Sequence, residues 1–294
     1  MNNTPILRYS QIQNEFLLTN YPIYGAAYCA NALQRTVVSV RSRIQKMKLH
    51  VKNMSEIMLN HYIKPNKEFN INADLFINPL LPEVIYTMGL LWADGNIHID
   101  KNVREVELTS TYPDGDEFYK IMSSYGKWNY YKYNKQHKNY KHLKPRIIIK
   151  TNNRPLTTFF SLYDYKSKSV NSADKILNII PTHLHYYWFR GLFDGDGGIY
   201  IKDKRVQITI SGPYEQSWNY LTSMLTNVGV TFHLYRRISN KNHKCSYIQI
   251  NGAKNSSKFL SYIYKNAETD KIYLTRKYKK WKQLKQHYQL DNNV

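Results

Sequence analysis

Two short stretches of this chain read almost alike: Met88-Gly89-Leu90-Leu91-Trp92-Ala93-Asp94-Gly95 and Arg190-Gly191-Leu192-Phe193-Asp194-Gly195-Asp196-Gly197. Each is an apolar run with small residues four apart, closed by Asp-Gly. Their last aspartates stand 102 positions apart (196 minus 94), about the length of one small domain, so the chain reads as a duplicated unit. On a helix, Gly89 and Ala93 share one face, as do Gly191 and Gly195, and faces this bare let two backbones approach closely. Two such helices packed together bring Asp94 and Asp196 into one cluster at their C-terminal ends. Paired carboxylates repel unless a proton or a cation sits between them. Mg²⁺, or Mn²⁺, suits such hard oxygen ligands, which makes Asp94 and Asp196 the expected metal and catalytic residues.

The repeat continues past the motifs. Residues 96–100 and 103–111 follow the first, and 198–202 and 205–211 the second, each alternating apolar and polar as half-buried strands do. A helix is expected after each proline, at 114–125 and 214–228. Further strands are expected at 128–133 with 145–151, and at 231–238 with 246–251, then closing helices near 155–163 and 254–264. The expected class is α+β, with two pseudo-symmetric αββαββα halves. Asp-Gly alone more often ends a helix in a turn than makes a site, and it is the paired context that lifts it here. A calcium loop beginning at Asp194 would need Glu at position 205, where Arg205 stands.

Charge identifies the partner class. Forty-two Lys and Arg stand against 21 Asp and Glu, a formal charge of +21, which favours a polyanion. The bias is densest at 127–150, where Lys127, Lys132, Lys135, Lys138, Lys141, Lys144, Arg146 and Lys150 meet no acid and alternate with Trp128, Tyr130, Tyr131, Tyr133 and Tyr140. A strand–loop–strand of this kind fits a phosphate backbone; Arg236, Arg237, Lys241 and Lys244 make a weaker counterpart. Outward strand positions suited to base edges are His98, Glu107, Thr109 and Thr111 in one half, and Tyr200, Lys202, Arg205, Gln207 and Thr209 in the other. No apolar run is long enough to span a bilayer and no signal peptide is evident, so no membrane role is expected. Two distant cysteines, Cys29 and Cys245, in no zinc spacing fit reduced thiols and a cytoplasmic setting, nucleoid-associated or in a phage-infected cell, with an organelle left open.

Ahead of the repeat, residues 10–49 read as three short helices: 10–19, a break at Tyr21-Pro22-Ile23-Tyr24-Gly25, then 26–33 and 37–47. In the third, Val37, Val40, Ile44 and Met47 line one face and Arg41, Arg43 and Lys46 the other. This resembles a DNA-binding helix-turn-helix, whose third helix would enter the major groove; a plain helical packing module is the simpler alternative. The expected division is a helix-turn-helix domain at 1–50, a Pro- and Asn-rich linker at 51–82, and the two halves at 83–175 and 176–294.

The paired motifs and the repeat order resemble the two-motif LAGLIDADG homing endonucleases over roughly residues 83–285. The resemblance implies a monomer whose two halves form a DNA-binding saddle across a long double-stranded target. It implies cleavage of both strands by divalent metal, with Asp94 and Asp196 as metal-binding aspartates, one per motif, and short 3′ overhangs. It also implies a role in homing of a mobile element. It places polar groups near the attacking water at Glu107 and Gln207, and a lysine after the last helix of each half. Leu274-Thr275-Arg276-Lys277-Tyr278 offers Lys277. In Tyr165-Lys166-Ser167-Lys168-Ser169 two registers compete, and Lys166 is preferred. Trp92 stands where the motif has its first Asp, a position the resemblance does not assign to metal. Arg190 is expected at the helix edge, solvated or facing phosphate. The alternatives on the same scaffold are an RNA maturase that binds intron RNA and a non-cleaving DNA-binding regulator; an intein is disfavoured, since splicing residues are absent from the chain ends.

Overall fold

The computed structural model describes residues 9–47, 71–100, 103–133, 145–203, 205–238 and 244–287. It divides into two compact units, Met1–Glu68 and Phe69–Val294.

The described residues of the first unit form a helical hairpin. Helix α1 (Gln11–Ala32) starts at Ser10, whose hydroxyl accepts from the Gln13 N–H while the Gln13 side chain reaches back to Ser10 N–H, a reciprocal cap. Helix α2 (Val37–Lys46) is capped by Thr36. The expected break at Pro22 does not occur: α1 runs through it, so among the described residues 10–47 there are two helices where the sequence suggested three. One proline removes one intrahelical bond and costs about 3 kcal/mol; the unbroken turns on either side and the packing of α1 on α2 offset that. The expected stripe is present: Val40 and Ile44 are buried with Leu17, Cys29 and Ala30, and Val37 and Met47 pack beside them. On the opposite face Arg41 and Lys46 are exposed. Arg43 instead donates to Asn14 Oδ1 at 2.7 Å and lies 5.8 Å from the Tyr9 ring centre, which ties it to α1.

The second unit holds the repeat. Its first half runs α3 (Asp74–Ile77), α4 (Pro82–Asp94), β1 (Gly95–Ile99), β2 (Arg104–Thr111), α5 (Asp114–Ser123), β3 (Asn129–Tyr133), β4 (Arg146–Asn152) and α6 (Arg154–Leu162). After α7 (Asp174–Leu177), the second half runs α8 (His185–Asp196), β5 (Gly197–Lys202), β6 (Arg205–Pro213), α9 (Asn219–Asn227), β7 (His233–Ile238), β8 (Lys244–Asn251) and α10 (Ala253–Ile263). Short α11 (Ala267–Asp270) and a final α12 (Thr275–His287) follow. The two four-stranded antiparallel sheets have the same order, β1-β2-β4-β3 and β5-β6-β8-β7.

Register fixes which side chains meet the core. Gly95 faces Leu108 and Ile97 faces Val106, and Leu108 in turn faces Ile149 across β2–β4. In the second half Ile199, Ile208 and Ile250 form the matching row. These apolar rows are buried, and the alternate residues form the opposite, polar face.

Three differences from the sequence reading have physical causes. Ile71 and Phe76, in a stretch read as linker, are buried in the second unit; Phe76 packs against Tyr125, Phe159 and Phe160. Helix α9 begins five residues later than expected because 214–218 is spent on turns, with the Gln216 amide donating to Lys168 O and Trp218 Nε1 to Ser246 Oγ. Helix α12 was not expected at all. It carries so many lysines that its stripe of buried Tyr278, Trp281 and Leu284 is diluted in the sequence.

Candidate active site and nucleic-acid face

The site begins with the α4–α8 contact. A Cβ on Gly89 would lie 1.9 Å from Trp188 O, and one on Gly191 would lie 2.0 Å from Tyr86 O. The two backbones therefore touch where the motif has glycine. Lower down, a Cβ on Gly195 would lie 2.4 Å from the Ala93 Cβ and 3.3 Å from Asp94 Oδ2. Asp94 thus comes to the end of the partner helix, as the sequence implied. Neither Asp-Gly forms a left-handed turn: Gly95 (φ −76°, ψ 155°) and Gly197 (φ −84°, ψ 151°) carry the chain straight from helix into strand.

Asp94 opens to solvent on one side and Asp196 is half-buried, with protein around the rest of each carboxyl. Burial, and then the neighbouring Asp94, push Asp196 up to about 7 from an ordinary 3.8, against the pull of Lys168 and Lys277. Asp94 is also raised, again chiefly by burial. A pair of oxygen-rich groups whose charges cost this much in one place is a fitting seat for a divalent cation.

Each half supplies one lysine from beneath. Lys168 Nζ donates to the carbonyl oxygens of Leu91 (2.9 Å), Ala93 (2.8 Å) and Gly95 (2.6 Å). Lys277 Nζ donates to those of Phe193 (2.6 Å), Asp194 (2.9 Å) and Gly195 (3.5 Å). These carbonyls cluster at the C-terminal ends of α4 and α8, the pole that favours a cation. Burial lowers both lysines to about 8, while the aspartates nearby hold them up. Three acceptors apiece hold their amino groups in place. This corrects the register in the first half: Lys166 is exposed, and Lys168 is the counterpart of Lys277. The spacing hid it, because the lysines lie 109 apart (277 minus 168) while the aspartates lie 102 apart, so the stretch from aspartate to lysine is seven residues longer in the second half.

Arg190 is likewise not at a solvated edge. It is fully buried, donating to Ile263 O (2.7 Å), Ile272 O (2.7 Å), Lys265 O and Asp270 Oδ1 (3.1 Å). Asp194 is also buried and accepts from Tyr86 O–H (2.9 Å), Tyr264 O–H (3.1 Å) and Leu274 N–H (2.8 Å). A polar residue inside an apolar helix run is the one sequence signal that marked these two.

On the polar sheet faces, Glu107 accepts from Thr109 Oγ1 at 3.1 Å, and Gln207 donates to Thr209 Oγ1 at 3.4 Å, matching pairs in the two halves. His98, Arg146 and Lys150 share the first of these faces, and Lys202, Arg205 and Arg237 the second. Tyr131, Tyr200, Tyr235, Tyr247, Gln249 and Asn251 also lie outward, positions the sequence reading did not all reach. Two expected contacts lie on the other side of their sheets. Lys132 pairs with Ile147 on the core face and sits 3.9 Å over the Tyr112 ring. Arg236 pairs with Ser246 and donates to Tyr214 O at 3.1 Å. In a period-two strand, adjacent cations such as Arg236 and Arg237 must part to opposite faces. Lys135 and Lys138 lie outside the described residues.

Among the described residues, His98, Glu105 and Glu107 place ligand atoms within 4.8 Å of one another on the outward face. Lys150 Nζ sits 2.9 Å from Glu105 and already supplies positive charge there.

Residues 185–264 match the family profile of the LAGLIDADG-like domain. The first half, outside that match, has the same helix and sheet order as the second. No protein of curated function matches the chain. Among solved structures, it is similar to the homing endonuclease I-WcaI bound to its DNA recognition sequence, at 11% identity and TM-score 0.43, covering 68% of this chain and 89% of that one. It is also similar to the LAGLIDADG meganuclease I-AabMI bound to uncleaved DNA, at 11% identity and TM-score 0.45, covering 72% and 91%.

Proposed function

We propose that this chain is a site-specific double-strand DNA homing endonuclease that hydrolyses phosphodiesters with a divalent metal, Mg²⁺ or Mn²⁺. The observation that carries it is the meeting of Asp94 and Asp196 at the ends of two helices whose backbones touch, each helix end held by a lysine.

In this reading the two polar sheet faces form a saddle on the duplex. Tyr200, Lys202, Arg205, Thr209 and Gln249 meet base edges or phosphates in one half, and His98, Thr109, Arg146 and Lys150 in the other. Arg41 and Lys46 of the N-terminal hairpin would extend the bound site. Asp94 and Asp196 would hold the cation, one carboxylate serving each strand. When bound, a divalent cation neutralises charge at the scissile phosphates and favours ionisation of a nearby water. Glu107 and Gln207 orient solvent through their open polar atoms. Lys168 and Lys277 keep a fixed positive charge below the site, where negative charge grows in the transition state. The protein acts as a monomer on a mobile element's target, in the cytoplasm or on the nucleoid.

The test is cleavage of DNA carrying the gene's own flanking sequence joined without the element, with Mg²⁺ and with EDTA. Discrete, metal-dependent double-strand cutting at the junction is expected. Tight binding of that DNA without cutting would overturn the nuclease reading in favour of a regulator, and tight binding of a structured intron RNA instead would favour a maturase.

A further inference from the structure

The two lysines, Lys168 and Lys277, reach equivalent places by different devices. In the first half, Lys168 stands three residues after Tyr165. The Tyr165 hydroxyl donates to Met88 O at 2.8 Å, and its ring meets Trp92 edge-on at 5.0 Å. That fastening is a tyrosine, by its hydroxyl and its ring. In the second half the residue in the place of Trp92 is Asp194, and Lys277 stands three residues after Leu274. There the fastening is polar: Asp194 Oδ2 accepts the Leu274 N–H at 2.8 Å. One turn earlier on the same helix, Arg190 binds the carbonyls of Ile263, Lys265 and Ile272 and the Asp270 carboxylate. Two side chains of α8 therefore grip the connector between α10 and α12 along its length, just before it delivers Lys277 back to the end of α8. Asp194 also accepts from Tyr86 of the opposite motif helix, so the grip is anchored in both halves.

We propose that Asp194, seconded by Arg190, is a positioning residue that sets Lys277 against the Asp94–Asp196 pair, so that the two half-sites are built unequally and fail separately. The proposal rests on the nuclease reading above. A displacement of about 1 Å at a charge of this kind lowers a rate by roughly tenfold to a hundredfold. The Lys277 half-site depends on a buried acceptor at position 194; the Lys168 half-site does not.

The experiment is single-turnover cleavage of a duplex labelled on both strands, comparing Asp194→Leu, Asp194→Asn, Lys277→Met and Lys168→Met in the full chain. Asp194→Leu is expected to slow one strand at least about tenfold and to accumulate a nick. The slowed strand is the one that Lys277→Met slows, and Lys168→Met slows the other. Asp194→Asn keeps an acceptor for the Leu274 N–H and is expected to restore most of the rate. Asp194→Leu combined with Lys277→Met is expected to be no slower than Lys277→Met alone, since one residue acts through the other. Equal slowing of both strands, additive losses in the double variant, or no rescue by Asn would each overturn the proposal. Should Asp194→Leu fail to fold, Asp194→Ser carries the same expectation, its short hydroxyl leaving room for water to meet the stranded donors. If the wild-type chain cuts nothing, the nuclease reading fails, and hydrogen exchange then tests the grip alone. Faster exchange at 271–278 in Asp194→Leu, with 164–170 unchanged, supports the grip, and unchanged exchange at 271–278 overturns it.

Discussion

Residue by residue, what distinguishes the site is charge held where it is expensive. Asp196 titrates near 7 in the folded chain and near its ordinary 3.8 when unfolded. Below about pH 4 both states are protonated and the raised value costs nothing. As pH rises from 4 towards 7 the unfolded chain ionises first, so stability falls, and above 7 the full penalty stands. Asp196→Asn should therefore melt higher than wild type at pH 8 in EDTA and equally at pH 4, by thermal denaturation. Mg²⁺ should raise the melting temperature of wild type at pH 8 and raise that of Asp196→Asn much less. In cleavage, Asp94→Asn and Asp196→Asn should each abolish double-strand cutting while DNA affinity, by gel shift, stays within a few-fold. The cysteines give an independent check on packing. Cys29 is fully buried, its thiol pushed up to about 11, whereas Cys245 is exposed. A thiol reagent at pH 8 should label Cys245 at once and Cys29 only on unfolding.

Among the elements, the α4–α8 pair is what makes one site of two motifs. Its glycines are there because backbone occupies the space a side chain would need. Gly89→Ala or Gly191→Ala should cost about 3 kcal/mol in urea unfolding, as forced overpacking does. Gly198→Ala, whose added carbon would meet nothing nearer than Thr209 O at 3.9 Å, should change stability by less than about 0.5 kcal/mol. Elements also show where a sequence pattern is and is not enough. The strands were legible because alternation has a period of two and each half repeats the other. The N-terminal helix departs from its sequence expectation because a proline is a local signal, and tertiary packing outweighs it. Helix α12 is hard to see in the sequence because three buried residues among its lysines carry its whole apolar stripe.

For the molecule as a whole, the chain carries a formal charge of +21, and in the proposed reading the charge on the polar sheet faces meets the duplex. Binding should weaken steeply with salt. The double variant Lys202→Ala with Arg205→Ala should flatten the log–log slope by about 2, near 0.9 for each phosphate no longer neutralised. Lys132→Ala and Arg236→Ala, on the other faces, should leave that slope unchanged. The two halves are also joined by cross-contacts beyond the motif helices: Arg276 pairs with Asp114 at 2.7 Å, and Thr275 N–H meets Glu117 Oε2 at 2.7 Å.

The sequence alone determined the duplication, the order of helices and strands in each half, and the meeting of Asp94 with Asp196, because periodicity and small-residue spacing are local and survive without coordinates. Tertiary structure alone decided that Lys168 and not Lys166 lies under the site, since a stretch from aspartate to lysine that is seven residues longer in the second half breaks the repeat's numbering. It also decided that Arg190 and Asp194 face inward, and that Lys132 and Arg236 turn from the outward face. Those outcomes depend on which carbonyls, rings and carboxylates distant segments bring within about 3 Å, and no spacing along one chain encodes that.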